Sequence, residues 1–128
     1  MNEIQIIQNQ LATERLHFAE IAQACAAVLD KTDFTPGSEF ARSCADYFAF
    51  AVTRVRGMTT APRADASIAS WREFLRIFNE TATKHFVAVD ELAARNLPVT
   101  EWRAQCGIDA DSIFTERARY TRVKATVP

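Results

Sequence analysis

The sequence predicts an all-α fold: an antiparallel bundle of three long helices plus a broken C-terminal fourth, four to five helices in all. Three observations carry this. Apolar residues recur at steps of three and four through three long stretches. Only three Gly and four Pro punctuate 128 residues, too few for a turn-rich β-sandwich. No run of β-branched residues alternates with polar ones, as a half-buried strand requires. The length suits a single helical-bundle domain over residues 1–128. A chain of this size can bury roughly two thirds of its unfolded surface, so it needs no disulfide or metal to fold.

The first helix is expected from about Asn2 to Asp30. Its apolar line is Ile4, Ile7, Leu11, Phe18, Ile21, Cys25 and Val28, with Glu14 on or near it and His17 one position away. The polar run 30–33 ends it. The second helix is expected to start at Pro36, where the missing N–H costs nothing, with Asp33 or Thr35 as cap. Its line is Phe40, Cys44, Tyr47, Ala51, Val55 and Met58, flanked by Phe48 and Val52, and Gly57 with the stretch to Pro62 ends it.

The third helix begins at Asp65 or Ser67. Its line runs through Ile68, Trp71, Phe74, Leu75, Phe78, Ala82, His85, Val89 and Leu92, and it stops before Asn96-Leu97-Pro98. Thr100 then caps a short helix carrying Trp102 and Ala104, and Gly107 offers a left-handed stop. Asp109 or Asp111 caps a last helix with Ile113, Phe114, Ala118 and Val123 and a basic end.

Nine Phe face an abundance of Ala, while Leu is scarce. Rings against small side chains interdigitate into a dense core, the preferred reading; the same mixture can line an aromatic cavity. The second helix carries more rings (Phe40, Tyr47, Phe48 and Phe50) than one contact face needs. The surplus suggests a homodimer or other homo-oligomer.

Bulk electrostatics exclude some partners. The formal net charge is −1 and the pI about 6.1, so no overall attraction to nucleic acid or an anionic membrane exists. The first ten residues are not a signal peptide, and no apolar run approaches the ~18 residues of a membrane span. A cytoplasmic location is expected, and three well-separated cysteines without a C-x-x-C pair fit reduced thiols. Cys25 and Cys44 read as core residues, which leaves Cys106 beside Gly107 as the candidate reactive thiol.

Reaction motifs are missing: there is no nucleophile elbow, P-loop or dinucleotide fingerprint. His85 lies on the apolar line of the third helix and reads first as a core-edge histidine bonded to Tyr47 or Glu14. His17 has Glu14 and Glu20 on neighbouring turns, a possible metal half-site. In length, helix pattern and this one histidine the chain resembles hemerythrin-like and ferritin-like bundles. Only Glu14-x-x-His17 matches the ferritin-like ligand pattern, and the residue three before His85 is Ala82.

The leading expectation is a non-enzymatic binding or interaction module for a small apolar ligand or a partner helix, without catalytic residues, metal ligands or cofactor. Tyr47, Phe48, Trp71, Phe78 and His85 are the expected binding residues: rings for contact area, His85 or Tyr47 as polar anchor. A degenerate metal-bundle enzyme or sensor using His17, Glu14, Glu20 and His85 is the alternative. A second alternative is a nucleic-acid-binding regulator with a helix-turn-helix over residues 100–125, where Arg117, Arg119 and Arg122 gather.

Overall fold

A computed structural model of the chain describes residues 2–58, 60–106 and 110–128, and only the backbone of residues 105, 106, 110 and 111. Among the described residues the fold is all-α, with α1 (Glu3–Asp30), α2 (Glu39–Arg54), α3 (Ile68–Ala93), α4 (Val99–Cys106) and α5 (Ala110–Thr126). The expected bundle with a broken last helix is what forms.

Local chemistry sets the helix starts. Asn2 caps α1: its side chain accepts the Gln5 N–H at 2.8 Å, and the Gln5 side chain accepts the Asn2 N–H at 3.2 Å. Ser67 caps α3 by accepting the Ser70 N–H at 3.1 Å. The start of α2 differs from expectation. Pro36 lies in a turn and Ser38 is the cap, accepting the Ala41 N–H at 3.1 Å. Gly37, at φ 77°, turns the chain before the helix can begin, and its N–H reaches the Ala64 carbonyl at 2.8 Å. The α2 helix also ends earlier than its apolar line, at Arg54, because Val55 is extended and Gly57 sits at φ 94°. Gly107 and Asp109, proposed above as stop and cap, lie outside the described residues, as does the side chain of Asp111.

Cross-helix contacts set the directions. Arg54 on α2 pairs with Glu14 on α1 at 3.0 Å, while Phe40 and Val28 close the other end of the core, so these helices are antiparallel. Arg72 donates to the Leu29 carbonyl and Arg15 pairs with Asp90, so α3 is also antiparallel to α1. His17 meets Glu116 and Lys124 meets Glu20, so α5 runs parallel to α1. It follows that α2 and α3 are parallel. The connection between them is not a short loop: it returns along the bundle, from the Arg56 N–H bonded to His85 at one end to the Ala64 carbonyl at the other. One long crossover of this kind is a known variant of four-helix bundles.

The main core is aromatic. Phe48 makes edge contacts with Tyr47, Phe74 and Phe78 at centroid distances of 5.1–5.7 Å. Phe18 brings α1 onto Tyr47 and Phe78, and Phe34 in the α1–α2 connection packs on Trp71. Burying each such ring contributes roughly 1.5–3 kcal/mol. A smaller cluster holds Ile7, Leu11 and Trp102, which fastens α4 to the start of α1.

Candidate functional site

Among the described residues, two of the places that bring chemistry-bearing or accessible side chains together bear on function. The first is the seam between α1 and α3. Positions 15, 18, 19, 22, 23 and 26 of α1 repeat at three and four and so share a face, as do 78, 79, 82, 83 and 86 of α3. The α3 face sets two rings around small side chains, and the α1 face sets one ring beside three alanines. Phe18, Phe78 and Phe86 make the floor, and Ala19, Ala22, Ala26 and Ala82 leave a groove of about 400 Å³ above it. A second groove of about 320 Å³ continues the seam, lined by Leu11, Leu16, Val89 and Trp102 among others. Arg15 and Phe86 belong to both. The Arg15 guanidinium lies 5.1 Å from the Phe86 ring centroid and 3.2 Å from the Asp90 carboxylate. Both partners of that ion pair are at least half exposed, so it holds its place weakly.

The second place is a polar cluster under α5. Glu116 is 5% exposed. Its Oε1 accepts the Tyr47 hydroxyl at 2.9 Å and lies 2.6 Å from Nδ1 of His17. The His17 ring stacks on Tyr120, whose hydroxyl donates to Glu20. Beside them Glu14 pairs with Arg54. Burial pushes the Glu14 carboxyl up, and Arg54 partly offsets this. The Tyr47 hydroxyl is pushed far up, first by burial and then by the Glu116 charge. Perturbed groups of this kind often mark active sites. Here the α1–α3 grooves are lined by none of them, and every named side chain has a protein partner. The cluster's evident work is to hold α5, in which Val123 is fully buried and Phe114 stays exposed.

The expected binding residues scatter between these places. Phe78 lines the α1–α3 groove. Tyr47, Phe48 and Trp71 are wholly enclosed in the core behind it, where Trp71 leaves its indole N–H without an acceptor among the described residues. His85 bonds neither Tyr47 nor Glu14, because those are taken by Glu116 and Arg54; instead its Nδ1 accepts the Arg56 N–H at 3.3 Å. Burial first, then Arg56 and Arg54, push His85 down, so its neutral form is favoured.

The proposed metal half-site diverges. Glu14 turns to Arg54, His17 to Glu116, and Glu20 to Tyr120 and Lys124. No group of three or more His, Cys, Asp or Glu placed to hold a metal occurs among the described residues. Of the C-terminal arginines, Arg119 and Arg122 pair with Asp46. The Cys106 side chain lies outside the described residues. No helix is long and apolar enough to cross a membrane among them.

Comparison with known proteins adds no assignment. No family model, curated protein or solved structure matches this chain.

Arg15, Phe86 and Asp90 at the groove, and Glu116 and Tyr120 in the cluster, were not singled out by sequence reasoning. The groove had a trace in the sequence: Ala at 19, 22 and 26 facing Phe at helical spacing. The Glu116 cluster had none, since its partners lie 69 and 99 residues away.

Proposed function

We propose that the chain is a non-enzymatic binding module that takes a small, mainly apolar ligand along the α1–α3 seam. One observation carries the reading: an open groove of about 400 Å³ with a three-ring floor and alanine walls, within the size range of small-molecule sites. Phe18, Phe78 and Phe86 offer contact area. Arg15 is the polar anchor, poised to exchange Asp90 for an anionic or hydrogen-bonding head group on the ligand. Tyr47, Phe48 and Trp71 act from behind: Phe48 holds the Phe78 ring edge-on at 5.1 Å, and Tyr47 and Trp71 hold Phe48.

The test is titration of the full chain with anilinonaphthalene sulfonate, an apolar fluorophore with an anionic head, followed by competition with medium-chain alkanoates. Ala82→Leu places a branched side chain in the groove. It is expected to weaken probe binding at least about tenfold while the circular dichroism spectrum is kept. Equal binding by the filled variant would reject the groove as the site.

A second reading rests on Leu16 and Val87, 64% and 50% exposed beside the same seam. These favour a partner helix, from a second copy or another protein, laid over the groove. Leu16→Glu would then shift the oligomer mass measured by light scattering, and an unchanged monomer mass for both chains would remove the second-copy form of this reading.

A further inference from the structure

Cys25 and Cys44 sit on different helices and are both completely buried in the main core. The Arg54–Glu14 pair fixes the α1–α2 register. From that pair, Cys25 lies eleven residues along α1 and Cys44 ten residues back along α2, about three turns in each case, or about 15–17 Å. The two cysteines therefore reach the same level of an antiparallel pair. One turn before each lies a buried alanine, Ala22 on α1 and Ala41 on α2, so small side chains flank the thiols on both helices. In keeping with this placement, Cys25 first and burial second both push the Cys44 thiol up.

We propose that Cys25 and Cys44 are a disulfide-forming pair, a covalent staple between α1 and α2. The chemistry is thiol–disulfide exchange with a disulfide oxidant such as glutathione disulfide. A Cys thiolate attacks the oxidant, one glutathione thiolate leaves, and the mixed disulfide is resolved by the second Cys. The protein's two thiols are oxidised to one disulfide, the oxidant is reduced to two glutathione thiols, and the two thiol protons end on them. Burial and the raised thiol make the folded chain slow to react, since the thiolate is the attacking species. Oxidation therefore belongs to the open or folding chain, where α1 and α2 are already near neighbours in sequence. The staple closes a loop through the 31–38 connection and leaves α3 and α5 uncrosslinked.

The experiment refolds the full chain and its Cys106→Ser variant from denaturant in a glutathione redox buffer. Intact mass and tryptic mapping under non-reducing conditions follow, with the melting temperature of each redox form. Expected are a loss of ~2 Da, a linked pair of peptides covering residues 16–31 and 43–54, and a melting temperature raised by roughly 10 °C over the reduced form. Two thiols in the Cys106→Ser variant that remain fully alkylatable after refolding would overturn the proposal. So would a linkage that runs through Cys106 in the full chain, or a linked form that melts below the reduced one.

Discussion

Removing a single oxygen at Tyr47 tests what holds α5 to the bundle. In Tyr47→Phe the ring stays, and with it the edge contacts to Phe18 and Phe48 at 6.2 and 5.7 Å. What goes is the hydroxyl that donates to Oε1 of Glu116 at 2.9 Å. Glu116 is 5% exposed, so water does not replace the lost donor easily, and His17 alone remains on that carboxylate among the side chains seen to bond it. A hydrogen bond to a charged group contributes about 1.5–3 kcal/mol. A domain of this length loses roughly 3–5 °C per kcal/mol, so the melting temperature should fall by about 5–15 °C. The assay is thermal and urea unfolding at pH 7, followed by circular dichroism. A double-mutant cycle separates this bond from other effects of the substitution: in a Glu116→Leu background, Tyr47→Phe should cost almost nothing. A melting temperature within about 1 °C of the parent, or the same loss in both backgrounds, would refute the assignment of this bond as a fastening of α5.

At alkaline pH, Tyr47 and Cys44 both have folded values raised above their ordinary 10 and 9, so the stability they carry is complete below pH 9 and drains as pH rises through these values; urea midpoints should drop from there, less steeply above pH 10 in Tyr47→Phe. On the acid side, His85 is shifted down from its ordinary 6.5, so its contribution is present above that pH and is lost as pH falls through the lowered value; an NMR titration should place its midpoint below 6.5, and His85→Gln should flatten the loss. In the core, Phe48→Ala removes the ring that touches Tyr47, Trp71, Phe74 and Phe78, and should cost about 3–5 kcal/mol by urea unfolding, with an unchanged stability ruling out the packing described.

Most helices were legible because their signal is local. The line Ile7, Leu11, Phe18, Ile21 and Cys25 needs only a period of 3.6 to be seen, and each of these is buried. The end of α2 misled the same reasoning, because Val55 continues the apolar line while lying in extended backbone beyond the last turn. Val55 is still buried, so periodicity sensed its burial and missed its conformation. Phe114 misled in the opposite way: it is apolar, helical and exposed. The direction of α3 was not legible at all, since it depends on the path of residues 55–67 rather than on any pattern within α3. At the candidate site, an alanine facing another helix and an alanine facing open space read alike in a sequence. The seam therefore appeared as dense core. Charge pairing across long separations, as in Glu116 with His17 and Tyr47, leaves no periodic mark.

The polar bed beneath α5 also bears on synthesis. Residues 110–126 leave the ribosome after α1, α2 and α3, which have by then had time to associate. Until then the face awaiting α5 presents His17, Glu20 and Asp46 together with the Tyr47 hydroxyl, groups that water solvates well. A chain whose α5 has yet to dock thus shows its surroundings a partly wettable surface beside the apolar ground that Val123 will cover, which lowers its tendency to clump while it waits for that helix.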